Sequence, residues 1–333
     1  MKIKLLFSFL SCCFIICSCS NPSGNTPTSS DTQTTASKPQ IAVPQFNQDS
    51  AYAFLKAQVD FGPRIPGSKS HEQCADFLSQ KMKAYTPNVT VQTGSAKTFD
   101  GKTFTIKNII SEFNPQLGNR ILLCAHWDTR PWADADSTDK YKPFDGADDG
   151  ASGVAVLLEI ARQLSIAKPD IGVDIIFFDL EDYGQEQDDD RFPKQQNTWC
   201  LGTQYWAKNL HKQGYTAQYG ILLDMVGGRN AVFPKEGTGM QYAPDVVEKI
   251  WSLAQSLGYS SFINNTTNPT MDDHYYVNTI ANIPCIDIVH YDVARSNYAL
   301  WHHTQADNLT VIDPVTLKTV GQVLMHLLFS GIA

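Results

Sequence analysis

Arg120-Ile-Leu-Leu-Cys-Ala125 is a nearly unbroken apolar run that stops at His126-Trp127-Asp128. A run of that length with no polar alternation is what a strand covered on both faces requires. Working outward, the same pattern recurs. Residues 172–178 (GVDIIFF) run into Asp179, Glu181 and Asp182, and residues 219–223 run into Asp224. Pro284 to Val289 leads to a loop that ends in Trp301-His302-His303-Thr304. Helical spacing predicts helices over 151–165, 202–213 and 242–257, and a last one that Asp313 caps with Pro314 at its first position. Upstream, 49–60 and 70–85 read as helices, and 89–93 and 103–113 as strands. Such alternation implies an α/β three-layer sandwich, with a mostly parallel mixed central sheet and helices on both faces. Segments 126–150 and 180–200 lack periodicity, and both begin where a strand ends, which is where open α/β sheets place ligands.

Acids and histidines therefore gather at the C-terminal ends of four strands, with Asp148-Asp149-Gly150-Ala151-Ser152 at one helix start. Singly, each has an ordinary explanation as a cap or a solvated turn. Jointly, carboxylates and imidazoles converging beside apolar strands need a cation, and zinc accepts both ligand types while leaving a position for substrate. The acidic run 186–190 follows no apolar strand and stands near Arg191 and Lys194, so it reads as a solvated loop. Asp134 and Asp136 lack the glycine and terminal Glu of a calcium loop.

The 333 residues carry 34 acids against 26 bases, a balance unlike that of a nucleic-acid binder. Apolar residues make up 42%, enough for a sizeable core. Residues 1–19 have Lys2 and Lys4 ahead of an apolar run too short to span a membrane, so they read as a signal peptide. Ile16-Cys17-Ser18-Cys19 is similar to a bacterial lipobox, which makes Cys19 the expected lipid site. Residues 20–45 read as a flexible tether and 46–333 as a single catalytic domain. Without the leader lysines the domain is still acidic, so membrane contact is expected only through the lipid. The reading is of an exported, periplasmic, lipid-anchored monomer. Cys74, Cys124, Cys200 and Cys285 are widely spaced without a CxxC, which removes a zinc-finger reading and leaves any disulfide open.

The chain resembles the zinc exopeptidase superfamily of co-catalytic aminopeptidases. The matching segments are His126-Trp127-Asp128, Ala147-Asp148-Asp149-Gly150-Ala151-Ser152-Gly153, Phe177-Phe178-Asp179-Leu180-Glu181-Asp182, Leu222-Leu223-Asp224 and His303-Thr304-Gln305-Ala306-Asp307. Phe61-Gly-Pro-Arg-Ile-Pro-Gly-Ser68, Asp272-Asp273-His274 and Trp301 make it look more like the animal-type glutaminyl-peptide cyclotransferases and their bacterial relatives. That resemblance implies one zinc on Asp149, Asp182 and His303, with His302 the alternative to His303. It implies Glu181 as general acid/base, with Asp224 and Asp273 in its hydrogen-bond network. His126 matches a ligand of the second aminopeptidase metal, with Asp128 beside it. The family usually has Glu where Asp182 stands, which shortens that ligand by one methylene. In the animal enzymes a cysteine at the Cys124 position pairs with one at the position of Gly153, a bridge that cannot form here.

The implied reaction closes an N-terminal glutamine of a peptide or exported protein to pyroglutamate and releases ammonia. An aromatic pocket should hold the bent side chain, with Trp301 the first candidate, then Trp199, then Trp127 and Trp132. The rivals are a dinuclear zinc aminopeptidase, since His126 and Asp224 are both present, and an inactive exopeptidase-like binding module.

Overall fold

The computed structural model describes residues 42–331. The expected leader, Cys19 and most of the expected tether lie outside them. Among the described residues no helix is long and apolar enough to cross a membrane. The helices are α1 Gln48–Val59, α2 Lys69–Tyr85, α3 Ala151–Ile166, α4 Leu201–Lys208, α5 Gly237–Tyr242, α6 Pro244–Ser256, α7 Asp273–Thr279 and α8 Pro314–Phe329. The strands are β1 Val89–Lys97, β2 Thr103–Phe113, β3 Arg120–His126, β4 Gly172–Phe178, β5 Tyr219–Asp224, β6 Phe233–Lys235, β7 Phe262–Thr266, β8 Cys285–Val289, β9 Tyr291–Asp292 and β10 Asn297–Tyr298.

Six strands form one mixed sheet in the order β1-β2-β4-β3-β5-β8. Its β4-β3-β5-β8 part is parallel, and β1 and β2 close the far edge antiparallel. The strand side chains alternate between two cores. Ile121, Leu123 and Ala125 pack with residues of α1, α3 and α8, while Leu122 and Cys124 pack with Trp206 of α4 and Val277 of α7. Every residue of β3, β4 and β5 is buried, which is why these strands read as continuous apolar runs. From β3 the chain runs to β4 on one side, and from β4 it crosses back past β3 to β5 on the other. The resulting crevice opens at the C-terminal ends of these strands.

One helix is shorter than its spacing. The helix expected over 242–257 forms as α6, with Pro244 at its first position, and α5 is a separate short helix that ends before it at Tyr242. The one expected over 202–213 stops at Lys208, where Asn209 leaves the helical region and its N–H closes back on Tyr205 and Trp206. All four domain cysteines are buried and free. Gly153 lets α3 lie against β5, since a Cβ there would run into the Leu223 carbonyl oxygen.

Glu236 is a buried junction. Its carboxylate caps α5 by accepting from the Thr238 and Gly239 N–H groups, and it also takes the Thr270 N–H (2.7 Å) and His274 Nε2 (3.0 Å). Burial raises this carboxyl, but the bond and charge of His274 and the two N–H donors outweigh it and pull the pKa from 4.5 to about 2. A lowered folded value contributes stability above the unfolded pKa and loses it as pH falls. We expect Glu236→Ala to cost about 3–5 kcal/mol at neutral pH, because His274 and the N–H groups lose their acceptor. The gap to wild type in urea melts should narrow between about pH 4.5 and 2; a gap independent of pH would contradict this.

Candidate active site

The crevice is assembled by backbone ties. Arg64, fully buried, donates to the carbonyl oxygens of Gly146 (2.7 Å), Asp145 and Trp127, which joins the loops after β3 and before α3. The Asp128 carboxylate accepts the N–H groups of Glu181 (3.1 Å) and Asp182 (3.3 Å), and Leu180 turns the chain there with φ +54°. The Asp307 carboxylate accepts those of Asp148 (2.7 Å) and Asp149 (3.1 Å). That tie explains the His-Thr-x-x-Asp spacing, since it docks the His303 loop on the start of α3. Gly150, at φ +91°, has no room for a Cβ, which would stand 2.8 Å from the Asp128 carbonyl oxygen and 3.0 Å from the His126 ring.

Asp149 is the centre of the site. Its Oδ1 is 3.1 Å from His126 Nε2, and its Oδ2 is 3.6 Å from His303 Nε2. His126 Nε2 also lies 3.3 Å from Asp224 Oδ1, and His303 Nε2 lies 3.1 Å from Asp182 Oδ1. One carboxylate thus stands between two His/Asp sets. His302 reaches only Asp149 (3.8 Å) and stacks on His303 at 3.7 Å, so His303 is the imidazole that faces both Asp149 and Asp182. Behind it, His303 Nδ1 faces Asp134 (3.3 Å), which the buried Arg130 guanidinium grips. Arg130 also donates its backbone N–H to Asp182 Oδ2 (2.8 Å). A carboxylate behind an imidazole fixes its ring and tautomer for metal binding.

The residues fit a cation. Asp149 Oδ2 and Asp182 Oδ1 are buried, accept no hydrogen bond and both look at His303 Nε2. Burial raises the carboxyl of Asp182 to about 6 and that of Asp224 to about 7, despite the neighbouring histidines. So much buried negative charge calls for a positive partner.

Glu181 lies between the two sets. Its Oε1 accepts from the Cys200 thiol (3.2 Å), and its Oε2 is 4.0 Å from His126 Nδ1. Burial, then the charges of Asp272, Asp182 and Asp273, hold its carboxyl well above the usual range against the pull of His126. A cleft of about 250 Å³ opens above it, floored by Asp149, Glu181, Asp182, Asp224, Asp272 and His303. Trp199, Met225, Met271, Tyr298 and His302 form its walls, and Glu186 and Gln187 its rim.

Three sequence expectations change. The acid beside Glu181 is Asp272, not Asp273. Asp272 offers an oxygen within 4.8 Å of Glu181 and Cys200 and lines the cleft, whereas Asp273 is fully buried and takes the Thr203 hydroxyl (2.6 Å). α7 begins at Asp273, which makes Asp272 the N-cap and turns it outward. Trp301 does not line the cleft; its indole donates to Asp148 (2.8 Å) and stands beside His290. Trp199 does line it, and the Arg130 guanidinium stacks on its ring at 4.7 Å. In the acidic run, Asp189 and Asp190 pair with Arg191 and Lys194 as a solvated loop would, but Glu186 turns to the rim, 3.8 Å from His303 Nδ1. Trp127 and Trp132 pack elsewhere, against His71 and Tyr183.

A family model described as Peptidase family M28 matches residues 108–328, about two thirds of the chain. The chain belongs to peptidase family M28. Among solved structures it is similar to a Zn-dependent exopeptidase from Parabacteroides distasonis, at 47% identity over 86% of this chain and 99% of that one, TM-score 0.84. It is similar to the glutaminyl cyclase of Bacteroides thetaiotaomicron bound to N-acetylhistamine, at 45% identity over 86% and 99%, TM-score 0.83. A curated relative, the glutaminyl-peptide cyclotransferase of Gloydius blomhoffii, is 24% identical over 292 residues, 78% of this chain and 75% of its own length. The M28 match includes every strand end that contributes to the crevice.

Proposed function

We propose that this M28 chain is a zinc-dependent glutaminyl-peptide cyclotransferase, converting N-terminal glutamine to pyroglutamate. The observation that carries this reading is the 45% identity to a glutaminyl cyclase across 99% of that protein. Asp149, Asp182 and His303 would hold one zinc, which supplies Lewis acidity at the γ-carboxamide oxygen when bound. The cleft walls, Trp199 above all, hold the glutaminyl side chain bent and exclude water. The α-nitrogen, bound as the free amine, bonds to the carboxamide carbon Cδ while Glu181 takes one of its protons. Glu181 then gives that proton to the side-chain nitrogen as the Cδ–nitrogen bond breaks, and ammonia leaves. Its raised pKa suits this two-way transfer. The Cys200 thiol donates to the Glu181 carboxyl and holds it in place, and the charge of Asp272 within 4.8 Å helps keep that carboxyl raised. We also propose that the chain is exported, lipidated on Cys19 and acts on exported peptides and proteins.

The complete His126–Asp149–Asp224 set supports a second reading, a dinuclear aminopeptidase. No water has to be activated for cyclisation, so that set then serves only to pair charges. Mass spectrometry of a glutamine-initiated peptide after incubation separates the two. Loss of ammonia is expected; loss of the whole first residue would overturn the cyclase reading.

A further inference from the structure

A second pair of hollows, of about 200 and 350 Å³, adjoins the 290–301 loop, outside the residues that form the catalytic cleft. The two share Asn230, His290 and Asp292. His290 is 7% exposed, its Nδ1 is buried without a hydrogen bond, and its ring leans on Trp301 at 5.4 Å. Among the described residues, the side chains of Arg229 and Asn230 make no hydrogen bond or ion pair. Asp292 is already used. Its Oδ2 takes Arg295 Nε (2.7 Å), and its Oδ1 takes the Ala294 (3.0 Å) and Arg295 (3.2 Å) N–H groups. The carboxylate in the wall is therefore spent, and the unspent groups are the Arg229 fork, the Asn230 amide and the His290 ring. Around them lie Trp301, Val232 and Ile263, with Leu300 72% exposed at the edge.

We propose that these hollows bind a carboxylate carried on an apolar body. Arg229 receives the carboxylate as a two-pronged partner, Asn230 and His290 add donors, and Trp301 and Leu300 cover the apolar part. Arg229 and Asn230 are exposed at the edge of the hollows and His290 is buried in their wall, so the unpaired guanidinium is open to an anionic ligand on a domain that is otherwise strongly acidic. Trp301, in the wall of these hollows, donates its indole N–H to Asp148, the neighbour of Asp149 in sequence.

The test is calorimetric titration of the zinc-loaded enzyme with N-acetyl-leucine and, separately, with N-acetyl-leucinamide, which lacks only the charge. The acid should bind at least about tenfold more tightly than the amide. Arg229→Ala should abolish that difference while leaving turnover of a short amidated glutamine peptide within about twofold, which separates this site from zinc coordination in the cleft. A second arm compares KM for glutamine peptides ending in free and amidated leucine. A lower KM for the free acid, lost in Arg229→Ala, identifies the carboxylate as the substrate's own C-terminus. Equal KM values, with binding of the acid intact, identify it as a separate molecule. No binding of the acid, equal binding of acid and amide, or unchanged binding in Arg229→Ala overturns the proposal. The binding arm stands whether or not the cyclase reading holds.

Discussion

Glu181→Gln should keep the bound zinc and lose about 10²- to 10⁴-fold in turnover, the range for removing a positioned general acid/base. The replacement is nearly isosteric and can still accept from the Cys200 thiol, so the cleft should keep its shape. What it loses is a group that can accept a proton and give it back. The side chain touches neither Asp149 nor His303 in the geometry described, and its nearest imidazole atom is His126 Nδ1 at 4.0 Å. Metal content should therefore stay level, and kcat should fall with little change in KM. Ammonia release with elemental analysis of the same sample reads both. A turnover within tenfold of wild type would remove Glu181 from the proton-transfer role. Asp272→Asn is the companion variant, expected to have a smaller effect because Asp272 acts through Glu181.

The parts of this molecule that were legible in the sequence are those where one physical demand dominates. β3, β4 and β5 are buried on both faces, so their composition alone betrays them, and their C-terminal ends point to the crevice. The grouping of Asp149, Asp182 and His303 followed from the family resemblance, and the motif spacings that carry it trace in the structure to the Asp128 and Asp307 ties. What could not be read depends on one-residue geometry or on long-range approach. Asp272 and Asp273 differ only in which of them caps α7. Cys200 meets Glu181 because it caps α4 in a left-handed conformation, φ +56°, a position that no spacing rule assigns to cysteine. Arg130 reaches back through Asp134 to His303 across 173 positions of sequence, and Tyr298 enters the cleft from the two-residue strand β10. Trp301 was chosen for its neighbours in sequence, but its indole N–H had a stronger claim on the buried Asp148 carboxylate.

Asp149→Ala should remove the metal and with it about 10³-fold or more of the activity, since Lewis-acid stabilisation is worth several kcal/mol of barrier. Asp149 is the carboxylate shared by both His/Asp sets, with one oxygen toward each imidazole. Its removal leaves Asp182 and Asp224 buried with only the histidines to balance them. His126→Ala is the informative contrast. His126 lies 3.1 Å from Asp149 and 3.3 Å from Asp224, away from the Asp182–His303 pair. If one zinc serves the enzyme, this variant keeps one equivalent and loses mainly stability, because Asp224 is left without the His126 imidazole. If two zinc ions serve it, the wild type carries two equivalents and the variant one. Metal analysis after dialysis, with a thermal melt of the same samples, distinguishes these outcomes. The single-zinc assignment requires that Asp149→Ala and His126→Ala differ in metal content, and equal loss in both would contradict it. The acidic surplus explains why the contrast should be sharp. The crevice concentrates Asp149, Glu181, Asp182, Asp224 and Asp272 at the strand ends, and a site so charged tolerates the loss of a ligand from the occupied set far less than the loss of a charge-pairing histidine.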